Sequence, residues 1–400
     1  MGGMTKEEGI NQVFGGGRHV VILGAGASIA STKRNPEKTG KQLPSMDNFS
    51  TVLGLKDIID KIPENLRDNN FEKLYGNIHK DNPDSELLKD IEKRIIDYFG
   101  SMQLPDEPTI YDYLVLSLRG KDLIASFNWD PFLYQAWVRN AKYTNDLPHL
   151  SFLHGNVAIG FSTEDKRSGP AGMYARRDGG FFEPTKLLYP VEQKNYTNDE
   201  FINIEWSGIK YWLSKESGTK RVTIFGYGAP VSDVEAVSLL NNAWGTPDER
   251  DMEQFEIIDV ADENELRERW DGFIHSHHYD ITNDYFSSSL ALNPRRTIES
   301  FFSHYQPLTP SEAFRSNNPV PQNFKTLEEL WTWHKALTDV ENLKEISTKG
   351  KNLPKKKTEL KQSKNKKGKS KIRTNKQIAE RWLKRKRSKR TRVKRKRNRK

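Results

Sequence analysis

The chain contains no cysteine. That removes disulfides, thiol nucleophiles and every cysteine-ligated zinc site. It also lacks any run of about 18 or more apolar residues, so no membrane-spanning helix is expected. No apolar stretch follows a basic start, so no secretory signal is expected either. These absences are compatible with a cytoplasmic protein. Apolar residues make up only 35% of the 400. That is low for a chain packed throughout, so part of the length should lie outside any core.

The charge distribution indicates which part. Residues 351–400 hold 26 Lys and Arg against two Glu, and the rest of the chain holds 38 basic and 52 acidic residues. The net charge of +10 therefore describes neither portion. Stretches such as Lys384-Arg385-Lys386-Arg387 cannot bury a core, so 351–400 is expected to be a disordered basic tail. Its charge density predicts an anionic partner. Nucleic acid held through counterion release comes first and an acidic protein surface second. No membrane surface is expected, because few apolar residues accompany the charge. Residues 1–17, polar and ending in Gly15-Gly16-Gly17, are expected as a flexible lead-in.

Between these ends, short apolar runs alternate with helical periodicity. Arg18 to Leu23, Leu123 to Phe127, Leu150 to Leu153, Arg221 to Phe225 and Phe255 to Val260 read as strands. Helices are expected across 51–99, Ile110 to Leu118, from Pro131, Ile202 to Leu213, from about Ser232, and Glu263 to Trp270. Helical periodicity in Arg296 to Tyr305 closes a domain over 18–305, and 306–350 reads as a linker and one more helix. This is the pattern of an α/β fold: a Rossmann-like doubly wound parallel sheet with helices on both faces. The Gly- and charge-rich stretch around 161–200 reads as a smaller inserted segment.

Four strand ends carry polar or glycine motifs, and each has a structural reading beside a functional one. Gly24-Ala25-Gly26-Ala27-Ser28 puts backbone N–H groups at a helix start, where they can hold a phosphate, or is a plain strand–helix turn. The third glycine of the dinucleotide fingerprint is replaced by Ile29, and no second strand brings an acidic ribose partner. Both argue against an ordinary dehydrogenase. Asn128 and Asp130, two apart at a strand end, face a ligand together or cap the helix that Pro131 opens. His154, before Gly155, is structural or catalytic. Gly226 and Gly228 precede Ser232 and Asp233, with Ser232-x-x-Glu235 reading as a capping box. His275-Ser276-His277-His278 lacks carboxylate support and reads as surface, with no metal expected.

In their order and spacing these four strand ends resemble the sirtuin superfamily. The family's GAG-alanine/valine/isoleucine-serine turn holds the NAD pyrophosphate, its Asn-x-Asp reaches the nicotinamide ribose, its His-Gly supplies a catalytic histidine, and a later glycine-rich strand end contacts the adenosine half. The matching positions are Gly24 to Ser28, Asn128 and Asp130, His154 and Gly155, and Gly226 to Asp233. Leu43-Pro44-Ser45 is similar to the loop after the family's first helix. The resemblance covers roughly 18–305.

The family's deacetylases carry a four-cysteine zinc ribbon that this chain cannot form. It therefore looks closer to divergent, zinc-less bacterial sirtuin-like domains of antiphage defence, which cleave NAD to nicotinamide and ADP-ribose. The resemblance implies NAD as substrate, no metal, Asn128, Asp130 and His154 as catalytic residues, and a homo-oligomer with a partner defence protein. On this reading Phe127 contacts the ligand or, with Trp129, packs on the far face of the strand. His154 accepts a proton near neutral pH. A protein deacylase or ADP-ribosyl transferase is the first alternative, and a non-catalytic NAD- or ADP-ribose-sensing module the second.

Overall fold

The computed structural model describes residues 17–32, 41–176, 179–191, 194, 196–229, 233–250, 254–275, 279–298 and 319–351. The lead-in up to 16, Ser232, the later histidines of the 275–278 cluster, most of the periodic stretch 296–305 and the basic tail beyond 351 lie outside the described residues. Helices of seven or more residues are labelled below.

The first strand explains the architecture. In β1 (Arg18–Leu23), Val20, Val21, Ile22 and Leu23 are all fully buried. Successive side chains of a strand point to opposite faces, so burial of all four requires cover on both sides, as in a parallel sheet clothed by helices. The chain continues through α1 (Ala25–Thr32), α2 (Phe71–Asp81), α3 (Glu86–Gly100), α4 (Ile110–Ser117), β2 (Leu123–Ser126), α5 (Phe132–Ala141) and β3 (His149–Phe152). An insert of β4 (Ile159–Ser162), β5 (Arg167–Pro170), β6 (Tyr174–Arg176), β7 (Gly179–Phe181) and β8 (Glu183–Pro184) follows. The order then runs α6 (Glu200–Leu213), β9 (Thr219–Phe225), α7 (Val234–Trp244), β10 (Gln254–Ile258), α8 (Glu263–Arg269), β11 (Tyr279–Thr282) and α9 (Leu327–Lys351).

The main sheet is wholly parallel, in the order β11-β10-β9-β1-β2-β3. This is the doubly wound sheet expected from the sequence. From β1 the chain builds outward through β2 and β3, then returns to β1's other edge with β9. The order reverses between β1 and β9, and in such sheets ligands bind beyond the carboxyl ends at that point. Edge strand β11 was not foreseen: YDIT is polar and only half-buried, so it carries no apolar run.

The insert is a three-stranded antiparallel sheet, β5-β4-β8, with the hairpin β6-β7. It spans Ile159 to Pro184, narrower than the 161–200 expected, and α6 already begins at Glu200. Its alternation was unreadable because glycines fill paired positions: Gly160 faces Gly169. A Cβ on Gly169 would lie 2.2 Å from the Phe182 ring.

Helix α4 is buried on every side from Tyr111 to Ser117, the mark of a core helix. Its start is fixed by a capping box between Thr109 and Asp112. Helix α9 packs back on the same unit: Trp331 Nε1 donates to Asn140 Oδ1 at 2.8 Å, and Tyr143 stacks on the Trp331 ring. No described helix is long and apolar enough to cross a membrane.

Candidate active site

The ends of β1, β2, β3 and β9 surround one cavity of about 550 Å³, within the usual range for a small-molecule site. The glycine turn after β1 is tied to the end of β9. Gly24 N donates to Phe225 O at 3.0 Å and Gly26 N to Gly226 O at 2.9 Å. A Cβ on Gly24 would sit 2.4 Å from Tyr227 Cα, and one on Gly26 2.8 Å from Gly226 Cα. These glycines let two strand ends touch at the switch point, and two of the N–H groups expected to face a phosphate are spent in doing so. Gly24, Ala25, Gly26 and Ser28 still reach the cavity, as does Ile29. Ala27 is fully buried behind the wall. Gly155 also stands behind it, at φ 76° with Lys186 O 2.1 Å from where a Cβ would be.

Beyond β2, Asn128 Nδ2 donates to Gly24 O at 2.7 Å and lies 3.0 Å from Ser28 Oγ and 3.3 Å from Tyr111 OH. Since Gly24 O can only accept, the amide orientation is fixed, and Oδ1 is the edge left to the cavity that Asn128 lines. Asp130 Oδ2 accepts from Ser28 Oγ at 2.7 Å, and Oδ1 accepts from Phe132 N at 3.2 Å. Of this pair, only Asp130 meets the first backbone N–H of α5, and Pro131 holds the N-cap position. Asn156 holds the loop from behind, donating to the carbonyls of Asn128 and Asp130.

Phe127 and Trp129 are packed in the core, as expected, but not on a face turned away from the ligand side. Both line the cavity, and Phe127 stacks on Tyr227 at 4.1 Å. The strand ends at Ser126, so strict alternation no longer governs the four residues that follow.

His154 is buried against the edge of Phe127, and its Nε2 has no hydrogen-bond partner. Asp233 Oδ1 lies 4.0 Å away, but Lys194 holds that oxygen, and Tyr227 OH donates to Oδ2 at 2.8 Å. Gly228 lines the same cavity. Asp233 is the residue before α7, yet its side chain makes no cap and faces the site. Tyr111, Lys194 and Tyr227 were not anticipated. Tyr111 begins a core helix, Lys194 lies in a charged connection, and Tyr227 stands between two glycines that drew the attention.

Burial sets the charges. It lowers His154 to about 3 against the pull of Asp233, so the imidazole is neutral, which corrects the expected titration near neutral pH. Burial also raises Asp130 to about 6, with the Ser28 hydroxyl opposing. The two act oppositely on stability. A depressed histidine disfavours folding as pH falls below 6.5, whereas a raised carboxyl is relieved as pH falls through 6 toward 3.8. His334, lowered to about 3 by burial and then Arg295, adds to the first effect. By pH 4.5 each histidine should withdraw about 3 kcal/mol, outweighing Asp130. Thermal unfolding between pH 7 and 4.5 should show stability falling, and His154→Gln should flatten the fall. A pH-independent melting temperature would mean that these imidazoles meet solvent.

No family model matches the chain, and no curated protein matches it in sequence. Among solved structures it is similar to one from a study of sirtuin substrate affinity (13% identity, TM-score 0.36, covering 74% of this chain and 99% of that one). It is also similar to a Sir2 homologue in complex with NAD (10%, 0.31, 76% and 95%) and to Sir2 bound to an acetylated peptide (11%, 0.33, 75% and 98%).

Proposed function

We propose that the protein hydrolyses NAD at the nicotinamide–ribose bond, releasing nicotinamide and ADP-ribose. The observation that carries this reading is the convergence of Asn128 and His154, from the neighbouring ends of β2 and β3, on one cavity beside the sheet's switch point. Water attacks C1′ on the face away from nicotinamide. The electrons of the C1′–N bond pass to the pyridinium nitrogen, so nicotinamide leaves neutral. Asn128 Oδ1 accepts a hydrogen bond from the water or a ribose hydroxyl and orients it. The proton released goes to neutral His154. Asp130, ionised above about pH 6, favours the positive charge that develops on the ribosyl centre.

The resemblance to zinc-less sirtuin-like domains supports a role as a triggered NAD-depleting effector in bacterial antiphage defence. The test is nicotinamide release from NAD by the full chain without acylated peptide, at several protein concentrations, with and without DNA. Turnover that His154→Ala lowers by about 10²–10⁴-fold is the expected result. Turnover that requires an acylated peptide would make the protein a deacylase. NAD binding without turnover in any condition would make it a sensor.

A further inference from the structure

Lys194 belongs to the connection between β8 and α6 and reaches the cavity wall. Its ammonium pairs with Asp233 Oδ1, and the two side chains are 3% and 6% exposed. His154 Nε2 lies 4.0 Å from that same oxygen and is buried without a hydrogen-bond partner. One carboxylate oxygen therefore stands within reach of both a cation and an imidazole, and serves the cation. The other oxygen is committed to Tyr227 OH.

Among the described residues, the other titratable groups nearest His154 are phenols. Tyr196 lies ring to ring with it at 6.2 Å, and Tyr227 stacks on Phe127 and donates its hydroxyl to Asp233 Oδ2. Burial pushes both phenols upward, so they stay uncharged. The state of His154 is thus set by burial and by the Lys194–Asp233 pair.

We propose that Lys194 is a substrate-responsive positioning residue: an anionic ligand entering the cavity draws its ammonium from Asp233, and the freed Oδ1 becomes the partner of His154 Nε2. The inference rests on the NAD reading above, in which the pyrophosphate supplies the negative charge. It accounts for a candidate base that sits neutral and unpartnered. An imidazole with an idle nitrogen is a weak base, and one facing a bare carboxylate is a stronger base. Basicity then appears only when the phosphates are seated, and the empty site stays quiet.

The test is NMR of the full chain carrying ¹³C-labelled histidine, with the His154 signal assigned by its loss in His154→Gln. ADP-ribose serves as probe, because it cannot be hydrolysed at the bond in question. Without ligand, His154 should titrate near 3. With ADP-ribose its midpoint should rise toward the ordinary value of 6.5. In Lys194→Met it should be raised already and respond little to ligand. Asp233→Asn should leave it low in both states.

An unchanged midpoint in ligand-free Lys194→Met overturns the proposal, as does bound ADP-ribose that leaves the wild-type midpoint unmoved. ADP-ribose that fails to bind overturns the substrate reading and the trigger with it. The ligand-free comparison would then still decide whether Lys194 sets the state of His154. If Lys194→Met does not fold, Lys194→Ala, which likewise leaves Asp233 Oδ1 without the ammonium, takes its place and should show the same raised midpoint.

Discussion

Asn128→Ala should lower the rate of nicotinamide release by about 10²–10³-fold, the usual cost of losing one preorganised polar contact to a reacting group. The loss should fall on kcat more than on KM, because the amide orients the attacking oxygen and does not hold the adenosine half. Steady-state kinetics beside a thermal melt would check it. The melt matters because Asn128 also joins β2 to the turn after β1 through Gly24 O. Tyr111→Phe is the companion variant. It removes a hydroxyl that touches Asn128 Nδ2 and Ser28 Oγ but has no contact with the reacting atoms, so it should cost about 1 kcal/mol of stability and only a small part of the rate. Equal losses in the two variants would show that Asn128 supports the wall and does not act in the reaction.

Glu341→Ala should destabilise the protein by about 3–5 kcal/mol, the cost of breaking a buried ion pair from one side. Glu341 lies on α9 and accepts from Arg295 Nε at 3.0 and 3.2 Å, with Arg119 at 3.1 Å. Arg295 is almost wholly buried, and it stands at φ 66°, a left-handed conformation unusual for a side chain of its size. Its other carboxylate partner, Asp146, is half-exposed, so loss of Glu341 strands charge that water cannot readily reach. Glu341→Gln keeps the acceptor shape and should cost less. Urea unfolding of the three proteins would measure it. A loss within about 1 kcal/mol for Glu341→Ala would place the latch among the weak surface pairs.

The sheet and the four strand ends were legible because their signals are local. A strand buried on both faces reads as an unbroken apolar run, as in RHVVIL and RVTIF, and glycines mark where such strands stop. Asn128 and His154 stood out because polar groups at such ends need a reason. The rest of the site depends on distance in sequence. Tyr111 meets Ser28 across 83 positions, and Lys194 meets Asp233 across 39; no spacing rule links either pair. Gly24 and Gly26 suggested phosphate binding, whereas their N–H groups face the end of β9, a partner some 200 residues away. Trp129, and Phe127 in one of its two readings, were placed on the far face because strand alternation was carried past Ser126, where the strand ends.

Helix α4 has a mechanical consequence. Its eight residues make a rod about 12 Å long. At one end Tyr111 OH rests against Asn128 and Ser28, and at the other Ser117 O takes the backbone N–H of Arg295 at 2.6 Å. Between them, Asp112 Oδ1 accepts from Asn140 Nδ2, whose amide oxygen holds Trp331 of α9. Helix α9 is therefore linked at two points to a stiff strut whose tip supports Asn128 and Ser28, two residues of the cavity wall. A pull on α9 has only two helical turns of tightly packed core to cross before it shifts the amide that would aim the water.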